Sequence, residues 1–305
     1  MAHPQSQDTD EFVDQAAAAA RFLAPAGPPV RVEFGALSHP GLVRSTNEDH
    51  YVIVRRSRRR RVLATNLPAE ALTTFDEADA YAFAVADGIG GMAFGEVASM
   101  LALQTAWELG AHEVQWPLRV NAAASQEILE KFEAYAQLLH SKLCEAGRDD
   151  PRLAGMGTTL TVAYTVGLDA FLAHLGDSRG YLFRQGKLEQ LTRDHTLGQQ
   201  LVDAGVFSPE ALEVRRLRHV LLNCLGADAD SVRVDTDHRK LQSGDWLLLC
   251  SDGLTDMVSN ETITQTIGEV VVPQDACQAL LEQALKAGGK DNITVLLARF
   301  ETGGV

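Results

Sequence analysis

Acidic residues recur in this chain where runs of strand-forming residues begin or end. Glu48-Asp49 precedes residues 51–54, Asp87-Gly88 follows 81–86, and Asp177 follows 170–175. Asp252-Gly253 follows 246–250, and Asp291-Asn292 precedes 293–300. One Asp-Gly pair is ordinarily a turn, with glycine supplying a positive φ. Five strand-end sites in one chain suit a different purpose: Mg²⁺ and Mn²⁺ take oxygen ligands and keep several waters, and converging carboxylates repel one another unless a cation lies between them. No competing zinc pattern is present, because the nine histidines are scattered without an HExxH spacing and the four cysteines form no CxxC pair. The GIGG string at Gly88–Gly91 lacks the GxGxxG spacing of a dinucleotide loop.

Short β-type segments must carry these carboxylates. Residues 30–37 alternate with Val30, Val32 and Phe34 on one side, 51–54 are β-branched, and 81–86 form an apolar run. Helices are predicted over 95–109 and 122–146; in the second, Ile128, Phe132, Tyr135, Leu139 and Leu143 share one face as a core stripe. Then come short strands at 158–165, 170–175, 181–184 and 188–191, a helix at 197–204, an irregular stretch at 205–219, and strands at 231–238 and 246–250. Helices at 261–270 and 274–287 precede a last strand at 293–300. Strand runs interspersed with helix pairs, without regular βαβ alternation, predict antiparallel sheets covered by helices. Trp107, Trp116 and Trp246 are expected as core or helix-packing residues, and Cys250 as a small buried hydrophobe.

The 305 residues are 46% hydrophobic and 22% charged, within the range of soluble globular chains. The 27 basic and 41 acidic residues leave a formal charge of −14, which opposes a polyphosphate duplex and argues against nucleic-acid binding. No segment reaches the roughly 18 uninterrupted apolar residues of a membrane helix. The acids Asp8, Asp10, Glu11 and Asp14 before the alanine run do not resemble a secretory signal, so a reduced, cytoplasmic setting is expected. Residues 1–29 read as an appendage that is mobile or docks on the surface, with a short helix at 11–23. The run from Arg55 to Arg61 is either a solvated loop or a landing strip for an acidic partner.

Seven strings, in order, make the chain resemble the metal-dependent serine/threonine protein phosphatases of type 2C, in their compact bacterial form. They are RSTNEDHYV (44–52), AVADGIGG (84–91), GMGTTLTVA (155–163), HLGDSRGYLF (174–183), LTRDHT (191–196), LCSDGLTDMV (249–258) and KDNITVLLARF (290–300). The resemblance implies an α+β fold, a central antiparallel β-sandwich flanked by pairs of helices in four layers (αββα). One catalytic domain would span 30–301, with a basic insertion at 55–68 and a flap at 201–219.

It also implies site roles. Asp87 would bridge two Mn²⁺ or Mg²⁺ ions, with the carbonyl of Gly88 on one and Asp252 and Asp291 on the other. Glu48 and Asp49 would hold metal-bound waters or complete the shell, and Asp177 would help hold a third, weaker ion. Arg44 would grip the substrate phosphate, while Asn292 and Asp256 would orient the metal-binding carboxylates. A metal-bridging water or hydroxide would then attack the phosphoserine or phosphothreonine of a protein substrate directly, reversing a serine/threonine kinase. Many eukaryotic relatives carry a histidine after the first Asp-Gly where this chain has Ile89, so a metal-bound water would act as the acid, or the step would go without one. Two other readings remain open: a catalytically silent binding module, and a phosphatase devoted to one small regulatory protein such as an anti-sigma antagonist.

Overall fold

The computed structural model describes residues 30–57, 64, 79–89, 94–112, 120–209, 211–227 and 230–303. In chain order these form β1 (Val30–His39), β2 (Asp49–Arg56), β3 (Ala80–Ile89), α1 (Gly95–His112), α2 (Ala122–Asp149), β4 (Gly157–Thr158), β5 (Leu160–Val166), β6 (Asp169–Leu175), β7 (Arg179–Arg184) and β8 (Lys187–Gln190). There follow α3 (Leu197–Asp203), α4 (Leu212–Leu217), β9 (Leu225–Gly226), β10 (Asp235–Lys240), β11 (Trp246–Cys250), α5 (Asp252–Thr255), α6 (Asn260–Glu269), α7 (Pro273–Lys286) and β12 (Ile293–Thr302). The expected N-terminal helix, most of the basic insertion, Gly90, Gly91 and Trp116 lie outside the described residues.

Strands that are apolar on both faces must be covered on both faces, and the sheets are stacked accordingly. One has the order β1-β12-β11-β7-β8; the other runs β10-β6-β5-β3-β4-β9, with β2 also paired to β3. The pairs are antiparallel. In β11, Leu247 and Leu249 point between the sheets, toward Phe83, Val85, Leu296 and Phe300. Trp246, Leu248 and Cys250 face the other way and pack beneath Ile263, Ile267, Cys277 and Leu280 of α6 and α7. On the opposite flank Ala84 and Ala86 of β3 meet Ala98, Ala102 and Leu139 of α1 and α2. The result is the four-layer α+β sandwich that the resemblance implies, and it contains the helix-covered antiparallel sheets that the strand and helix pattern predicts.

Local chemistry sets several boundaries. Asn121 caps α2 by accepting the Ala124 N–H at 2.8 Å, and the buried stripe is Ile128, Phe132, Ala136, Leu139, His140 and Leu143, with Tyr135 at its half-buried margin. The strand expected at 158–165 is split by Thr159, which turns aside to bond Asp87. The strand expected at 231–238 forms instead at Asp235–Lys240, where pairing with β6 is available; Val232 and Val234 pack in the core ahead of that ladder. The stretch expected to be irregular contains α4, and α5 follows β11 directly. Trp107 is a clear correction: 55% exposed, it sits on the outer face of α1, whose inner face is already filled by Ala98, Ala102 and Leu103.

Candidate functional site

β3 is the spine of the site. Asp87 lies directly opposite Asp49 of β2, and its backbone is clamped by the next loop: its N–H donates to Thr159 Oγ1 at 2.9 Å, and its carbonyl accepts from Thr159 N and Thr158 Oγ1, each at 2.9 Å. Asp87-Gly88 is therefore not a turn. β3 runs on to Ile89, and glycine is required because a Cβ at Gly88 would stand 2.2 Å from the carbonyl oxygen of Gly95. Asp252-Gly253 is not a turn either: Asp252 opens α5, and a Cβ at Gly253 would stand 2.0 Å from the carbonyl oxygen of Asn292. Both glycines serve close backbone approach, which brings the acidic strand ends together.

Asn292 ties the N-terminal loop to β12. Its Nδ2 donates to the carbonyls of Pro40 and Thr46 at 3.0 and 2.8 Å, and its Oδ1 accepts the Glu48 N–H at 2.8 Å. Residues 40–48, which carry Arg44 and Glu48, are thus held against Asp291. Arg44 Nη2 donates to Asp291 Oδ2 at 2.7 Å. Asp177 follows Gly176, whose φ of +106° suits glycine. His195 fixes that loop by accepting the Gly176 N–H on Nδ1 at 3.2 Å, while its Nε2 lies 3.0 Å from Asp235.

These residues converge on a cleft of about 620 Å³ lined by Arg44, Glu48, Asp87, Gly88, Asp177, Asp252, Asp256, Asp291 and Asn292. Asp49 lies behind it, only 3% exposed. Its Oδ2 accepts from Ser251 Oγ and Thr294 Oγ1, each at 2.7 Å, and its Oδ1 is buried without a hydrogen-bond partner among the described residues. Burial, opposed by those two hydrogen bonds and reinforced by Asp252 and Asp291, pushes the Asp49 carboxyl up to about 7. Burial, then the neighbouring Asp49 and Asp252, holds Asp87 well above the usual carboxylate range; burial and Asp252 do the same to Asp177. Glu48 and Asp256 are also raised, mainly by burial. A cluster of acids resisting ionisation, with one orphaned buried oxygen and an oxygen-only donor set, has the chemistry that a hard divalent cation completes.

Asp256 lines the cleft near Asp252, one turn along α5, its N–H donating to the Asp252 carbonyl at 2.8 Å. It faces the flap, with Arg218 Nη2 at 3.1 Å and His219 Nε2 at 3.4 Å. His219 carries no site signal as one of nine scattered histidines; in the fold its Nδ1 lies 3.6 Å from Asp252, and its pKa is raised chiefly by that contact. The donor atoms of His219, Asp252 and Asp256 all lie within 4.8 Å of one another. Ser251, Thr294, Thr158 and Thr159 also escaped sequence reasoning; a hydroxyl residue carries no signal until its partner across the fold is known. Ile89 lines the cleft with an aliphatic side chain that has no proton to transfer. Cys250 is fully buried and its thiol is pushed up to about 12 by burial, so it is the inert hydrophobe expected.

Among relatives, the serine/threonine protein phosphatase PstP of Mycobacterium tuberculosis is 35% identical over 267 residues, which is 88% of this chain but 45% of that protein. The chain thus spans less than half the length of that relative. Protein phosphatase PhpP of Streptococcus pneumoniae is 37% identical over 213 residues, covering 70% of this chain and 83% of PhpP. Among solved structures, the catalytic domain of PstP in complex with two manganese ions superposes with a TM-score of 0.69 at 34% identity, covering 89% of this chain and 99% of that domain. Residues 66–287 match the model of the protein phosphatase 2C family, and with these relatives on either side of it the chain belongs to that family.

Proposed function

We propose that the chain is a metal-dependent phosphoprotein phosphatase that hydrolyses phosphoserine and phosphothreonine, with residues 30–301 as its catalytic unit. One observation carries the proposal: Asp87, Asp252 and Asp291, from separate strand ends, meet in one cleft in front of buried Asp49, whose Oδ1 has no hydrogen-bond partner among the described residues.

Asp87, the Gly88 carbonyl, Asp252 and Asp291 would hold two Mn²⁺ or Mg²⁺ ions, with Glu48 and Asp49 completing the shell through water and Asp177 serving a third. When bound, such ions supply an ionised water near neutral pH and neutralise charge on the phosphoryl group. The chain's own residues do the rest. Arg44 orients the phosphate with its planar fork, for which its present acceptor, Asp291 Oδ2, marks the reach. Asn292 holds the 40–48 loop so that Arg44 and Glu48 face the cleft. Thr158 and Thr159 fix the Asp87 backbone, and Ser251 and Thr294 keep Asp49 from rotating its free oxygen away. Ile89 has no proton to give to the departing alkoxide, so solvent in the cleft must supply it.

The full carboxylate set weighs against a silent binding module. Among the described residues no helix is long and apolar enough to cross a membrane, and we place the enzyme in the cytoplasm, opposing a serine/threonine kinase. Turnover of p-nitrophenyl phosphate and a phosphothreonine peptide should require added Mn²⁺ or Mg²⁺ and vanish in Asp252→Asn with the fold intact by circular dichroism. Full turnover in excess EDTA would sink the proposal.

A further inference from the structure

Two turns frame one side of the cleft, and they are locked together. Gly41 (φ +81°) packs so closely on the second turn that a Cβ there would stand 2.2 Å from the carbonyl oxygen of Asp291 and 2.6 Å from that of Gly289. The next residue, Leu42, donates its N–H to the Gly289 carbonyl at 2.7 Å. The first turn then presents Leu42 and Val43, 65% and 69% exposed, immediately before Arg44; the second presents Lys290 immediately before Asp291.

Lys290 differs from the other permanent cations of the cleft. Arg44 is engaged with Asp291, and Arg218 with Asp256. Lys290 lines the same cleft, is exposed, and among the described residues has no carboxylate within ion-pair distance. Neither side chain type is explained by the phosphate chemistry. A phosphoryl group needs the carboxylate-bound cations and Arg44; it does not need two exposed aliphatic side chains or a further cation without a carboxylate partner among the described residues. These features suit what lies on either side of the phosphorylated residue in a polypeptide.

We propose that the turns 41–44 and 288–291 form a reader for the substrate segment flanking the phosphoresidue, selecting a phosphoprotein with an acidic side chain one or two positions away, met by Lys290, and an aliphatic neighbour resting on Leu42 and Val43. The proposal rests on the phosphatase reading of the cleft. It adds a preference among phosphoprotein substrates that this reading alone does not contain. The charge contact is solvent-exposed, so its contribution is modest and screened by salt.

The test compares phosphothreonine peptides differing only in Glu or Lys at the two positions on each side of the phosphothreonine, by kcat/KM in Mn²⁺. Wild type should favour a Glu-flanked peptide over its Lys counterpart by about threefold to fivefold, the range an exposed charge pair gives, with the gain in KM rather than kcat. Raising salt should erase most of it. Lys290→Met should abolish the preference and Lys290→Glu should reverse it. Because each preference is a ratio on one enzyme sample, partial unfolding or weaker metal loading cancels. No preference in wild type, or one that survives Lys290→Glu, overturns the proposal. Turnover of p-nitrophenyl phosphate by wild type separates the failures: its presence leaves the phosphatase reading standing while the reader falls, and its absence removes both.

Discussion

Replacing Asp49 by Asn should make the chelated protein more stable at neutral pH while impairing its response to metal. Asp49 is buried, shares Oδ2 between Ser251 and Thr294, and leaves Oδ1 without a partner among the described residues. Its carboxyl is raised from 3.8 to about 7. The folded state therefore holds the proton more tightly than the unfolded chain, and this group's stabilising effect, complete below pH 4, is lost as pH rises toward 7. A displacement of roughly three pKa units corresponds to at most about 4 kcal/mol. Neighbouring Asp87 takes up part of the proton binding, so about 2 kcal/mol is the reasonable gain for Asn, whose Oδ1 can still accept both hydroxyls while its amide carries no charge. For a domain of this size that is about 4–8 °C in Tm. Thermal melts in EDTA at pH 5 and pH 8 should show wild type losing stability between them and Asp49→Asn losing less. Adding Mn²⁺ should raise the wild-type Tm strongly and the variant's weakly, because binding to the native state alone stabilises it. A variant that melts below wild type at pH 8 in EDTA, with the same pH slope, would refute the account of Asp49 as a strained, cation-seeking acid.

Gly253→Ala should cost about 3 kcal/mol or more in a chemical melt, because its Cβ would meet the Asn292 backbone at 2.0 Å, whereas Gly110→Ala, with nothing within 4 Å, should gain up to about 1 kcal/mol from helix propensity. Similar costs for the two would show that the close approach is not what demands glycine. Arg44→Ala should raise the KM for a phosphopeptide about tenfold, as expected for a lost charge-assisted hydrogen bond of about 1.5 kcal/mol, and an unchanged KM would remove Arg44 from phosphate binding.

The parts of the molecule legible from sequence are those specified within a few residues. β11 shows both of its apolar faces in five consecutive letters, and its bounds match the expected ones. Asp87, Asp252 and Asp291 are visible because each ends or precedes such a run. What pairs across the fold is not visible: Ser251 and Thr294 reach Asp49 over separations of 202 and 245 residues. The Asp-Gly pairs show how a local rule can mislead, since neither Gly88 nor Gly253 adopts positive φ; both are needed for backbone approaches that only the assembled sandwich creates. Trp107 failed for a related reason: the aromatic-inside tendency carries no knowledge of which helix face the sheet has already filled.

The charge of the cleft explains how an acidic chain could take a phosphorylated substrate. Six carboxylates line it, Glu48, Asp87, Asp177, Asp252, Asp256 and Asp291, against the permanent cations Arg44, Arg218 and Lys290, a formal −3 in a chain of −14. Proton retention on Asp87 and Asp177 is the cleft's own partial answer to that excess. Two divalent cations answer it fully, turning −3 into +1, so a phosphate dianion would meet attraction only in the loaded cleft. The cations supplied by the chain would then have divided tasks: Arg44, paired with Asp291, would orient the phosphoryl group, and Lys290, with no carboxylate at ion-pair distance among the described residues, would meet the remainder of the substrate. Chemistry and selection would thereby fall to different side chains of the same pair of turns, and a substitution at Lys290 should retune one without dismantling the other.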